Sequence, residues 1–162
     1  METEQTVVLE RAEKYQFEVR FTGKSYANLR VDEGSPPGTD TAPNPSRMLA
    51  VAVGHCLSSS LLFCLERSRA EVGPVTTRVR TTLARNDRGR WRIQGIEVEI
   101  DAEVRGPESD LKLARCREMF EDFCIVTDSV RHGVPVRVTV GGLATSPPGP
   151  GPADHSPSET AR

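Results

Sequence analysis

Asn44-Pro45-Ser46-Arg47-Met48-Leu49-Ala50-Val51-Ala52-Val53-Gly54-His55-Cys56-Leu57-Ser58-Ser59-Ser60-Leu61-Leu62-Phe63-Cys64-Leu65 is the longest apolar run in the sequence, and its first residues mark it as a helix. Asn44 is a capping residue, and Pro45 suits the first helical position because its missing N–H would have no partner there. A segment apolar on nearly every side has to be wrapped by other structure or lie in a membrane. It approaches the length of a membrane span, but Gly54, His55 and Ser58 to Ser60 interrupt it and no aromatic belt flanks it. A buried, soluble central helix is therefore expected, with the thiol of Cys56 near its middle.

Upstream, Asp32 to Pro45 is rich in glycine, proline and threonine without apolar periodicity, so it reads as a linker or a site-shaping loop. Before it, residues 5–10, the alternation of Tyr15, Phe17, Val19 and Phe21, and the stretch from Tyr26 to Val31 read as three strands of a small antiparallel meander. Downstream, the helix is expected to reach about Ala70, where Glu71-Val72-Gly73-Pro74 stops it. A long hairpin follows: Val75, Val79, Thr81 and Leu83, a turn at Asn86 to Gly89, then Trp91 to Val104. A phase change between Ile93 and Ile96 places a bulge near Gly95. Leu113, Cys116, Phe120, Phe123 and Cys124 then form one apolar stripe on a second helix, and Val134, Val136, Val138 and Val140 alternate through a final strand.

The order of elements predicts an α+β fold, with two helices against antiparallel sheet. Residues 1–142 form one domain, and the Pro/Gly/Ser-rich 143–162 read as a disordered tail, because little in them offsets the entropy of ordering. With 162 residues the chain can bury a core without disulfide staples. The net charge of −2 gives no reason to expect nucleic acid or an acidic membrane surface, which points to a small molecule or a second copy as partner. The acidic N-terminus lacks the features of an export signal, so a cytoplasmic location is expected. In a reducing compartment Cys56, Cys64, Cys116 and Cys124 are expected as thiols rather than as a structural disulfide framework.

The residues also narrow the chemistry. No Cys-x-x-Cys or His-x3-His pairing supports a metal site, and no glycine-rich loop follows a strand to hold a nucleotide. His55 and Cys56 are adjacent on a helix and point about 100° apart, so they do not form a dyad. Cys64 and Cys116 read as small buried hydrophobes.

Cys56 and Cys124 carry more. Pro45-x10-Cys56 on a buried helix, together with Cys124-Ile125-Val126-Thr127-Asp128-Ser129-Val130-Arg131-His132-Gly133-Val134-Pro135-Val136-Arg137-Val138, resembles the family of osmotically inducible protein C (OsmC) and the organic hydroperoxide resistance proteins. The separation of 68 residues between the two cysteines (124 − 56) matches, and the resemblance covers about residues 5 to 141. It implies an intertwined homodimer with the central helices in the middle, which would cover what the chain's own sheet leaves open.

The resemblance further implies an antioxidant enzyme that needs neither metal nor flavin. Cys56 is expected as the peroxidatic thiol, oxidised by an organic hydroperoxide to a sulfenic acid. Cys124 is expected as the resolving thiol that closes a disulfide, with an external dithiol or a lipoylated protein as reductant. A thiolate is required, and Cys56 lies too deep in its helix for that helix's own N-terminal charge to help. In the family an arginine from the N-terminal strands supplies the charge, held by a glutamate ten residues before the first cysteine; here that position is Ser46. Arg11 is the best positional counterpart for the arginine and Arg20 the next, whereas Arg47 starts about 13 Å along the helix from Cys56. The rival expectation is a non-catalytic member that binds a small apolar ligand at the dimer interface.

Overall fold

In the computed structural model, residues 3–141 and 143–144 are described. The central helix, α1 (Pro45–Arg67), starts as its sequence demands: the Asn44 side chain accepts the Arg47 N–H at 3.0 Å, and the Ser46 hydroxyl donates to the same oxygen at 2.9 Å. Such a cap contributes about 1 kcal/mol. Three strands precede the helix, β1 (Val7–Glu13), β2 (Gln16–Phe21) and β3 (Leu29–Val31), and they form the expected antiparallel meander in the order β1-β2-β3. After it come β4 (Glu71–Arg85) and β5 (Trp91–Arg105), the long antiparallel hairpin. The class is α+β, as expected.

The core forms where α1 lies on this hairpin. Val53, Leu57, Leu61 and Leu65 repeat every four residues and are all buried, packing on Ile96, Val98, Ile100, Ala102 and Val104 of β5 among others. Gly54 lets the helix approach β4, because a Cβ there would stand 2.6 Å from Val79 Cγ2. One turn on, the Ser58 hydroxyl donates to the Gly54 carbonyl at 2.7 Å and accepts from Thr77 at 2.6 Å, tying helix to strand. The bulge expected near Gly95 is present: Thr82 pairs with Gly95 but Leu83 with Ile93, leaving Gln94 over. A second register shift falls at Gly73-Pro74, where the proline has no N–H to give to a ladder.

The linker from Asp32 to Pro45 is an ordered loop built on one carboxylate. Buried Asp32 accepts the Glu33 N–H at 2.8 Å and, on its other oxygen, the Thr39 N–H at 3.0 Å and Thr39 hydroxyl at 2.6 Å, with Thr41 adding two longer bonds. Thr39's hydroxyl, with these amides, outweighs burial and holds the carboxyl far below the usual carboxylate range. Its stabilisation is fully present above about pH 4 and is lost as pH falls below that.

Several expectations are corrected. The single second helix is broken: α2 (Ser109–Met119) passes into a 3-10 turn at Phe120–Phe123, and a third helix, α3 (Ile125–His132), begins at Cys124. The apolar stripe is real, but Cys124 caps a new helix with extended backbone (φ −87°, ψ 95°) instead of continuing the old one. Cys64 and Cys116 are not free thiols; they form a disulfide, with Cα atoms 5.7 Å apart, that joins α1 to α2 within a buried cluster containing Leu61 and Leu65. Packing of two helices set these cysteines face to face, which spacing in sequence does not disclose. By closing a 52-residue separation the bond contributes about 4 kcal/mol in the chain-entropy account.

The helix α1 ends at Arg67, short of Ala70, because Glu71 already pairs with Arg105 in the hairpin. The final strand shrinks to β6 (Thr139–Val140), which pairs with β7 (Leu143–Ala144); Val134, Val136 and Val138 are exposed and outside any strand. Residues 145–162, and with them most of the expected tail, lie outside the described residues.

Candidate functional site

Cys56 and Cys124 meet in the core. Both belong to the cluster around Val53 and Leu57, with Leu49, Ile96, Val98, Phe120 and Val126 packed on it. They are free thiols, Cys56 half-buried and Cys124 1% exposed, close enough that each shifts the other's pKa, and the Cys124 sulfur lies 2.9 Å from the Thr127 hydroxyl.

The α3 N-terminus lies beneath this pair. Its first amides have no partner inside the helix, and they turn to sulfur: Ile125 and Val126 toward Cys56, Val126 and Thr127 toward Cys124. Buried Thr127 adds its hydroxyl, 2.9 Å from Cys124 Sγ, which donates once the thiol ionises. The two thiols respond in opposite ways. Burial pushes the Cys56 thiol up, and the neighbouring Cys124 pushes it further against the pull of the amides. Burial also opposes ionisation of Cys124, but there the Cys56 donor, the Thr127 hydroxyl and the two amides prevail, and its pKa is lowered. Cys124 is therefore the more acidic thiol of the two.

Beside the pair lies a cavity of about 650 Å³ between α1, β5, α2 and α3. Leu49, Val53, Leu57 and Leu61 wall one side and Ile96, Val98 and Ile100 another; the polar lining includes Thr127, Glu121, Arg117 and Arg131. The cavity can thus take a molecule with an apolar body and one polar end, and it meets the thiol pair through Thr127, Val53, Leu57, Ile96 and Val98, which border both.

The structure brings Cys56 and Cys124 together and leaves the expected arginines elsewhere. Arg11 sits exposed on β1, its Nε donating to the Lys14 carbonyl at 2.7 Å, and a single chain does not carry it to the thiols. Arg20 pairs with Glu10 at 2.6 Å and Arg47 with Asp40 at 3.0 Å, both on the surface. Thr127, Glu121 and Arg131 were not among the expected site residues. The signal for them was the start of α3, masked because the apolar stripe of α2 runs on through Cys124.

The chain is thus an α+β protein with two free thiols side by side at the start of α3 and a cavity next to them. The sequence pattern of the OsmC-like protein family matches residues 38–139, and the chain belongs to that family. No curated protein matches it. Among solved structures, it is similar to an OsmC-like protein of unknown function from Vibrio cholerae (13% identity, TM-score 0.68, covering 79% of this chain and 94% of that one). Also similar are an organic hydroperoxide resistance protein OsmC from Legionella pneumophila (15%, TM-score 0.55, 80% and 90%) and a putative organic hydroperoxide resistance protein from Vibrio cholerae with captopril in one active site (20%, TM-score 0.59, 90% and 97%). At these identities the likeness is one of fold.

Proposed function

We propose that this chain is a cytoplasmic, homodimeric, thiol-dependent peroxidase that reduces organic hydroperoxides through Cys56 and Cys124. The observation that supports it most directly is that the two free thiols, 68 residues apart in sequence, are packed in one cluster at the start of α3, next to a cavity. Family membership and the organic hydroperoxide resistance proteins among its structural neighbours favour the same chemistry.

Cys56 is the attacking thiol because it is the more exposed of the two. It passes its proton to Cys124, and its thiolate attacks the distal peroxide oxygen; the O–O bond breaks and the electron pair leaves on the alkoxide. Cys124 returns the proton, so the product departs as an alcohol and Cys56 is left as a sulfenic acid. Ionised again, Cys124 attacks the Cys56 sulfur, forms the S–S bond and expels hydroxide. Two electrons have passed from the thiols to the peroxide, and an external dithiol or a lipoylated protein restores them by exchange.

The test is Cys124→Ser treated with cumene hydroperoxide in the presence of a sulfenic-acid trap. Labelled Cys56 is expected; an unlabelled, folded variant counts against these roles. The apolar cavity also favours a second reading, a carrier of a small apolar ligand that consumes no peroxide, which the wild-type assay separates from the first.

A further inference from the structure

We propose that the tip of the β4–β5 hairpin is a docking surface for an anionic lipid bilayer. The segment Arg85-Asn86-Asp87-Arg88-Gly89-Arg90-Trp91-Arg92 holds four arginines against one aspartate, a local charge of +3 that the chain's net charge of −2 hides. Along the shaft of the same hairpin arginine is neutralised across the strands: Arg78 pairs with Asp101 at 2.9 Å and Arg80 with Glu97 at 3.0 Å. At the tip all four arginines are exposed, and among the described residues none of them is in an ion pair. Arg85 and Arg92 donate to backbone carbonyls, those of Gly89 and Trp91, both at 2.7 Å. Like charges crowded into one turn repel one another, and an anionic surface relieves that repulsion.

The tip is also built in advance. The Asn86 side chain accepts the Arg88 and Arg90 N–H groups at 3.1 and 3.0 Å, and Gly89, at φ +69°, closes the turn with its N–H on the Asn86 carbonyl at 2.8 Å. Little ordering is left to be done on docking. Strand register adds an apolar side: Arg85 stands opposite Trp91 and Leu83 opposite Ile93, so these four share one side of the hairpin. Trp91, Leu83 and Ile93 are 60%, 47% and 39% exposed. The Arg85 guanidinium lies 4.9 Å from the centre of the Trp91 ring and occupies one of its faces. A nucleic-acid strand needs open aromatic faces on which successive bases stack. A single tryptophan flanked by aliphatic side chains and ringed by arginine instead fits the headgroup boundary of a bilayer, where anionic lipids meet the cations. Beyond Trp91 the same strand, through Ile93, Gln94 and Gly95, becomes part of the cavity wall, so a docked tip sets that end of the cavity next to the lipid.

Trp91 is the only tryptophan of the chain, so its emission reports on the tip directly. The full chain is mixed with vesicles of phosphatidylcholine containing about a third phosphatidylglycerol, with vesicles of phosphatidylcholine alone, and with a single-stranded oligothymidylate. Cosedimentation with the anionic vesicles and a blue shift of the Trp91 emission are expected, both lost when salt is raised from about 0.05 to about 0.5 M and both absent with phosphatidylcholine alone. The double variant Arg88→Gln with Arg90→Gln keeps the turn, since the backbone amides rather than these side chains hold Asn86. Its affinity for the anionic vesicles is expected to fall about tenfold to thirtyfold. Failure to bind anionic vesicles overturns the assignment, as does binding with an unmoved Trp91 emission or with the double variant unimpaired, since either places the contact elsewhere. Binding to the oligothymidylate in preference to the vesicles also overturns it and makes the tip a nucleic-acid surface.

Discussion

Cys56 and Cys124 are chemically identical, yet their surroundings ask opposite things of them. Burial and the neighbouring Cys124 raise the pKa of Cys56, whereas Cys56, Thr127 and the α3 amides lower that of Cys124 against its burial. Removing either partner should therefore move the survivor in a direction that can be stated in advance. In Cys124→Ala the Cys56 thiol loses its acceptor and a neighbouring negative charge, so its pKa falls and alkylation by iodoacetamide begins at lower pH than in the wild type. In Cys56→Ala the Cys124 thiolate loses a donor, so its pKa rises. The two pH profiles are expected to shift in opposite directions; shifts of the same sign would show that the thiols do not act on each other as described. The two cysteines were legible in the sequence through their spacing and motif. Which of them is the more acidic was not, because that depends on amides and a hydroxyl of a helix capped by Cys124 itself.

At the scale of elements, the close approach of α1 to β4 rests on one missing methyl group. Gly54→Ala would improve intrinsic helix propensity by about 1 kcal/mol, but the new Cβ stands 2.6 Å from Val79 Cγ2, at the end of a short, stiff side chain. Overpacking of this kind costs about 1 to 3 kcal/mol, so it prevails and the net effect is a loss of up to about 2 kcal/mol. Urea unfolding checks it: the midpoint of Gly54→Ala should fall below that of the wild type with an unchanged slope. The early strands and the hairpin were readable from apolar alternation, and the central helix from its cap and unbroken apolar run, because these signals are local, whereas Val134, Val136 and Val138 alternate without forming a strand. The break between α2 and α3 was hidden, since a 3-10 turn and a fresh helix start can carry the same apolar stripe as a continuous helix.

For the molecule as a whole, the single chain leaves a good deal of apolar surface open. Val51 and Phe63 of α1 are 61% and 51% exposed, and Val134 and Val136 are exposed after α3. A second copy covering the exposed side of α1 would account for a helix apolar on nearly every side. Sedimentation equilibrium is expected to give twice the chain mass, and Val51→Arg with Phe63→Arg to shift the protein toward monomer while the Cys64–Cys116 disulfide keeps α1 and α2 together. A wild-type monomer at micromolar concentration would refute this.

The amino-acid order was enough for the α+β class, the capped central helix, the bulged hairpin and the two cysteines worth watching, since caps, turns and periodicities act over a few residues. Folding in space was needed to join Cys64 to Cys116, to start α3 under the thiols and to bring Cys56 and Cys124 into one cluster. Those outcomes depend on which face of one helix meets which face of another, and no local pattern encodes that.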